Sequence, residues 1–159
     1  MRSLTLPLTL TALLLPAAGA QSFGIYGHSD LSGSGAGVQV QNAPSAAGAW
    51  RLSLDAGLNS AGGGSAELAA DRLSRLGRAG TQNYWGAGVF AGVRGLSGNA
   101  ASDQGLFGGA RGFVGSELPV GGGRLFGELG VQAAVTQTRY SDVGVAGGLF
   151  PLVRAGVRF

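Results

Sequence analysis

The chain has 159 residues, of which 32 are glycine, 45% are hydrophobic and none is cysteine, and its formal net charge is +3. Without cysteine there is no disulfide framework, no thiolate metal site and no lipid-modified N-terminal Cys. Glycine shows no Gly-X-Y period, which excludes collagen, and the arginines neither cluster nor interleave with aromatics, so nucleic-acid binding has no support.

Residues 1–20 carry one charge, Arg2, an apolar run from Leu4 to Leu15, and Ala18-Gly19-Ala20. This is the pattern of a secretory signal peptide cut before Gln21. The other reading, a short membrane anchor, is opposed by Pro7, Pro16 and the shortness of the run. The remainder, 21–159, is long enough for one domain. It contains no apolar stretch approaching a transmembrane helix, so membrane insertion would require a closed β-barrel, the other way to satisfy every backbone group in lipid.

This remainder alternates apolar and polar residues, the signature of strands with two unlike faces. Strand one is predicted over 22–31, with Phe23, Ile25 and Leu31 outward and Tyr26, His28 and Asp30 inward. Strand two, 34–42, puts Ala36, Val38 and Val40 out and Gln39 and Gln41 in, and ends in the turn residues Asn42-Ala43-Pro44-Ser45. In strand three, 48–59, Trp50, Leu52, Leu54, Ala56 and Leu58 oppose Arg51, Ser53, Asp55 and Gly57. Asn59 to Gly64 turns the chain into strand four, 65–77.

Strand four is the weakest pattern. Ala66, Leu68 and Ala70 would face out and Glu67 and Asp71 in, but Arg72 would then point outward and Leu73 inward. A helix competes, because Ala69, Leu73 and Leu76 have helical spacing. A bulge near Arg72 or Leu73 would mend the parity of a strand. Strand five, 83–95, has Trp85, Ala87, Val89, Ala91 and Val93 out and Tyr84, Phe90 and Arg94 in. A polar loop over 96–104 leads to strand six, 105–118, with Leu106, Ala110, Val114 and Leu118 out and Phe107, Arg111, Phe113 and Glu117 in. Pro119-Val120-Gly121-Gly122 reads as a tight turn. Strand seven, 124–138, has Leu125, Leu129, Val131, Ala133 and Val135 out and Arg124, Phe126, Glu128 and Gln132 in. Residues 139–147 return to the last strand, 148–159. There Val153, Ala155, Val157 and Phe159 share one face, and Leu152, Arg154, Gly156 and Arg158 the other.

A terminal Phe preceded by apolar residues at alternate positions resembles the closing strand of bacterial outer-membrane β-barrels. The length of 21–159 resembles the small eight-stranded members, the OmpA, OmpX and opacity type. The resemblance implies an all-β fold: an eight-stranded antiparallel up-and-down transmembrane barrel with a filled lumen, 21–159, after a signal peptide, 1–20. It implies the outer membrane as location, and Val153, Ala155, Val157 and Phe159 as the signal read by the barrel-insertion machinery. The expected partners are that machinery and outer-membrane lipids, with a monomer as the oligomeric state. An even strand count puts both termini on one side, which the resemblance implies is the periplasm. Phe23, Trp50, Trp85 and Phe159 then fall at one level, a membrane-interface girdle. Arg72 would lie near that level and could snorkel to water. A soluble β-sandwich also alternates, but its outer face is polar, whereas the face opposite the apolar one here mixes glycine, aromatics and both charge signs.

Inward arginines are Arg51, Arg94, Arg111, Arg124, Arg154 and Arg158; inward acids are Asp30, Asp55, Glu67, Asp71, Glu117 and Glu128. Equal numbers suit charges that must pair when buried. Turn positions predict Glu117 opposite Arg124, Arg111 diagonal to Glu128, Glu128 opposite Arg158, Gln132 opposite Arg154, and a Phe90–Arg111 cation–π contact. A barrel of eight strands leaves an interior that side chains fill, so no open pore is expected. His28, the sole histidine, sits beside Asp30, with Ser29, Ser60 and Ser97 near the same end. No motif surrounds them, so no catalytic residue, metal site or cofactor is expected. The favoured role is a structural or surface-interaction protein of the envelope. A narrow porin-like channel and a lipid-modifying enzyme using His28 are the alternatives.

Overall fold

The computed structural model describes residues 22–30, 33–43, 48–58, 63–77, 82–95, 105–138 and 146–159. The signal peptide expected over 1–20, Leu31, Pro44-Ser45, the connections at 59–62, 78–81, 96–104 and 139–145, and with them Ser60 and Ser97, lie outside the described residues.

Eight strands follow in chain order: β1 (Ser22–Asp30), β2 (Gly33–Gln41), β3 (Ala49–Leu58), β4 (Gly64–Arg75), β5 (Asn83–Arg94), β6 (Gly105–Val120), β7 (Gly123–Thr138) and β8 (Ala146–Arg158). Each pairs antiparallel with its sequence neighbours, and β8 pairs with β1, so the sheet closes into an up-and-down barrel. Following paired residues from Ile25 across every strand reaches Gly147 in β8, ten positions before Val157, which Ile25 faces directly. A stagger of this kind requires the strands to lean about 35–45° from the barrel axis.

The predicted parity holds on every strand, and the burial is inverted relative to a water-soluble core. Large apolar side chains such as Leu54, Leu68, Val89, Leu129 and Leu149 are exposed. Arg51, Arg154, Glu67, Glu128, Asp55 and Asp71 are among the most deeply buried side chains.

The fourth segment is a strand, and it carries no bulge. Its pairs run without interruption from Ala49–Leu73 to Leu58–Gly64 on one side and from Ser65–Arg94 to Arg75–Tyr84 on the other. Instead of a shift in register, Arg72 stays outward with its guanidinium 5.2 Å from the centre of the Trp50 ring. Leu73 goes inward and joins Ala49, Tyr84, Phe113 and Leu152 in an apolar cluster. The tight turn between β6 and β7 is also shorter than expected. Pro119 and Val120 belong to β6, Val120 pairs with Gly123, and only Gly121-Gly122 form the turn. Gly121 has φ +59°, a left-handed conformation that glycine adopts without steric cost. Pro151 pairs with Val131 of β7 and lies just beyond the last β1–β8 pair among the described residues, Ser29 with Val153.

Candidate functional site: the charged interior

Bulky interior side chains need room, and register supplies it by setting glycine beside them. Arg51, Asp71, Gly88, Arg111 and Gln132 are consecutive partners across β3 to β7. Gly88 therefore stands between Asp71 and Arg111, and a Cβ there would run into the Asp71 carboxylate. Its absence lets the Arg111 guanidinium reach over β5 to an acid two strands away. Likewise Phe113 lies between Gly86 and Gly130, and Tyr84 lies over Gly115.

The centre of the interior is built around Asp71. Arg111 donates to both its oxygens, Nε to Oδ1 at 2.7 Å and Nη2 to Oδ2 at 2.8 Å, while Arg51 Nε donates to Oδ2 at 2.9 Å. Arg111 also donates to Glu67 Oε1 at 2.9 Å and to Ser53 Oγ at 3.2 Å. Arg51 crosses the barrel to Glu128 on β7 and holds it with both Nη groups; the Nη2–Oε2 distance is 3.1 Å. Tyr84 donates its hydroxyl to the same carboxylate at 2.6 Å. Arg154 donates to Asp55 Oδ2 at 3.2 Å and stands 3.9 Å from Glu67 Oε1. Bidentate arginine–carboxylate pairs of this kind are directional as well as strong. Aromatic faces complete the packing, with Arg51 4.8 Å from the Phe113 ring centre and Arg154 5.0 Å from that of Tyr26.

Two smaller groups flank this centre. At the end holding both chain termini of the barrel, Glu117 accepts from Arg158 and, at 2.9 Å, from Arg124, and Arg158 stacks 5.1 Å from the Phe126 ring centre. At the other end His28 Nδ1 is 3.1 Å from Asp30 Oδ2, and an apolar layer of Ala69, Phe90, Phe107 and Ala134 packs against Phe150. Among the described residues no three His, Cys, Asp or Glu converge as a metal site.

The structure thus brings together Arg51, Asp55, Arg111, Glu128 and Arg154 in one cluster and Glu117, Arg124 and Arg158 in another. Arg94 joins neither: it is half-buried at the His28 end, and its Nε has no hydrogen-bond partner among the described residues. Several expected partners are wrong. Glu117 faces Phe126 and Arg124 faces Pro119, so their ion pair is diagonal. Arg111 faces Gln132 and is not a neighbour of Glu128. Arg158 faces Arg124 rather than Glu128, and Gln132 faces Phe150 rather than Arg154. Phe90 faces Gly109 and Arg111 faces Gly88, so the two are diagonal rather than opposite. Each error has one origin: the register in three hairpins is set by where the turn closes. The two-residue turn at Gly121-Gly122 alone moves β6 against β7 by two positions. Asp71 and Tyr84, central here, had shown only their inward parity in the sequence.

Outward, Phe23, Trp50, Trp85 and Phe159 are all exposed, as are Val153 and, in part, Val157. Phe159 and Phe23 exchange backbone hydrogen bonds of 2.7 and 3.2 Å, which extends the pairing of β8 with β1 to the last residue.

No known protein family and no curated protein matches this sequence. Among solved structures, the chain is similar to the crystal structure of a major outer membrane protein from Thermus thermophilus. The two are 16% identical, with a TM-score of 0.51, over 88% of this chain and 99% of that one. At that identity the likeness establishes the shared barrel fold.

Proposed function

We propose that this chain is a small outer-membrane β-barrel protein of the OmpA, OmpX and opacity type, with a structural or surface-contact role in the cell envelope. The carrying observation is the inverted burial: Leu, Val, Ile and Trp cover the outside while Arg, Asp and Glu fill the inside. In water an apolar exterior on all sides would aggregate, whereas hydrocarbon solvates it. The likeness to an outer-membrane protein supports the same reading. Residues 1–20 would direct secretion, Phe23, Trp50, Trp85 and Phe159 would sit at the periplasmic interface, and Val153, Ala155, Val157 and Phe159 would be read by the insertion machinery.

The lumen is closed to solutes on this reading, because Arg51, Asp71 and Gln132 are wholly buried across its width. The protein acts without a cofactor, as a monomer, and is not an enzyme. The buried position of His28, bonded to Asp30, favours a packing role over a catalytic one.

The test is migration in detergent before and after boiling, together with recovery in the outer-membrane fraction. A faster-migrating unboiled form in that fraction is expected. A protein that stays soluble without detergent would overturn the assignment. In planar bilayers the purified barrel should give no stable conductance steps; steps would replace the closed lumen with a narrow channel.

A further inference from the structure

The mouth of the lumen at the end holding both termini carries more cation than acid. Arg124 of β7 and Arg158 of β8 are direct partners across the sheet, and both donate to the one carboxylate of Glu117. Like charges set opposite each other repel, and a single acid offsets only one of them. Arg75, the last residue of β4, has the inward parity and is exposed at the same end. β4 and β8 are four strands apart in a ring of eight, so Arg75 stands on the opposite side of the mouth. The acids of the centre are taken by Arg51, Arg111 and Arg154. Among the described residues, three arginines against one acid leave an excess of two positive charges at this mouth. The connections at this end, 42–48, 76–82 and 118–123, add no Asp or Glu.

Arg158 also keeps an unused fork. It is 4% exposed and gives Nη1 to Glu117, while its Nε and Nη2 have no hydrogen-bond partner among the described residues. Those two nitrogens form one edge of the guanidinium, which matches two oxygens of a carboxylate or phosphate. Arg111 has the same edge in use, with Nε 2.7 Å and Nη2 2.8 Å from the Asp71 oxygens. Buried donors without acceptors are costly, so the fork favours an acceptor from outside the chain. Arg124, whose side chain is 54% exposed, faces Arg158 in register and is the side of entry. We propose that this mouth binds a phosphate monoester group, held by the Nε–Nη2 edge of Arg158 and by Arg124, with Arg75 closing from the other side. A monoester carries a charge of about −1.5 to −2 at neutral pH, which matches the excess, whereas a carboxylate cancels half of it. That the group comes from the periplasm rests on the membrane assignment above; the arginine site itself does not.

The test is titration calorimetry of the full protein in a non-ionic, phosphate-free detergent at low salt, with inorganic phosphate and acetate as probes. One phosphate per barrel is expected, bound about tenfold or more tighter than acetate. Arg124→Gln and Arg75→Gln, at exposed positions, should each weaken phosphate severalfold, and Arg94→Gln, at the other end, should not. Glu117→Gln removes the acid that competes for Arg124 and Arg158 and should tighten phosphate severalfold; a residue that merely braced the mouth would weaken it when lost. Phosphatidic acid in nanodiscs and glycerol phosphate in solution separate the sources. Displacement of phosphate by the first assigns a lipid headgroup, by the second alone a soluble ester, and either supports the site. No saturable phosphate heat, displacement by neither ester, equal affinity in all variants, or weaker binding by Glu117→Gln overturns the proposal, while heat-modifiable migration still supports the membrane assignment. A protein that stays soluble without detergent would reject that assignment instead, and the same titration in buffer then decides the site.

Discussion

Asp71 and Glu128 each meet more than one arginine-linked partner, so a single truncation strands several groups. Removing Glu128 leaves the Arg51 guanidinium short of its cross-barrel acceptor and the Tyr84 hydroxyl without its partner. Breaking one side of a buried ion pair costs about 3–5 kcal/mol, because the other charge stays desolvated. Glu128→Ala should lower stability by that order in urea unfolding from vesicles, followed by tryptophan fluorescence. Arg51→Met/Glu128→Ala should recover part of the loss; a single variant as stable as wild type would mean the pair holds nothing. Glycines divide by face in the same way. Gly88→Ala puts a methyl into Asp71, whereas a Cβ at Gly112 meets only the Gly86 carbonyl oxygen, at 4.0 Å. Gly88→Ala should therefore abolish most of the heat-modifiable form and Gly112→Ala should not, as read by the fraction of unboiled, fast-migrating band.

The strands are unequal. β6 and β7 are each 16 residues long and pair along their whole length, while β1 has 9 residues and shares six pairs with β8, from Gly24–Arg158 to Ser29–Val153. The interior behind the β1–β8 seam is also the less satisfied half. The Tyr26 hydroxyl, the Gln39 amide and two nitrogens of Arg154 are buried without hydrogen-bond partners among the described residues. Each such group costs about 1–3 kcal/mol relative to a satisfied one. Local opening draws on the least stable units of a fold. In detergent micelles, amide hydrogens of β1 and β8 should exchange at least tenfold faster than those in the middle of β6 and β7. Uniform protection around the barrel would contradict this.

At the scale of the molecule, one axis organises everything: an apolar belt outside, charge pairs inside, and the outward-facing aromatics Phe23, Trp50, Trp85 and Phe159 toward one end. Trp50 and Trp85 are the protein's two tryptophans, on β3 and β5. If both mark one interface, brominated lipids should quench them with the same depth dependence in the variants Trp50→Phe and Trp85→Phe. Both should give a shallow maximum, about the depth of the headgroup boundary. Deep quenching of either would break the girdle.

The amino-acid sequence by itself determined the strands, their number and the face each side chain takes, because alternation is local: residues i and i+2 share a face whatever lies next to them. Arg72 and Leu73 show how far that reaches, since both kept the parity their positions dictated and no bulge intervened. Partners were another matter. Glu117–Arg124 became a diagonal pair, and Arg51 found Glu128 across the barrel, 77 residues away in sequence. Which charges meet depends on where each turn closes and on the stagger of the closed sheet, and a two-residue error in one hairpin changes every partner along it. Closure is a property of all eight strands together, so only the tertiary structure could decide it.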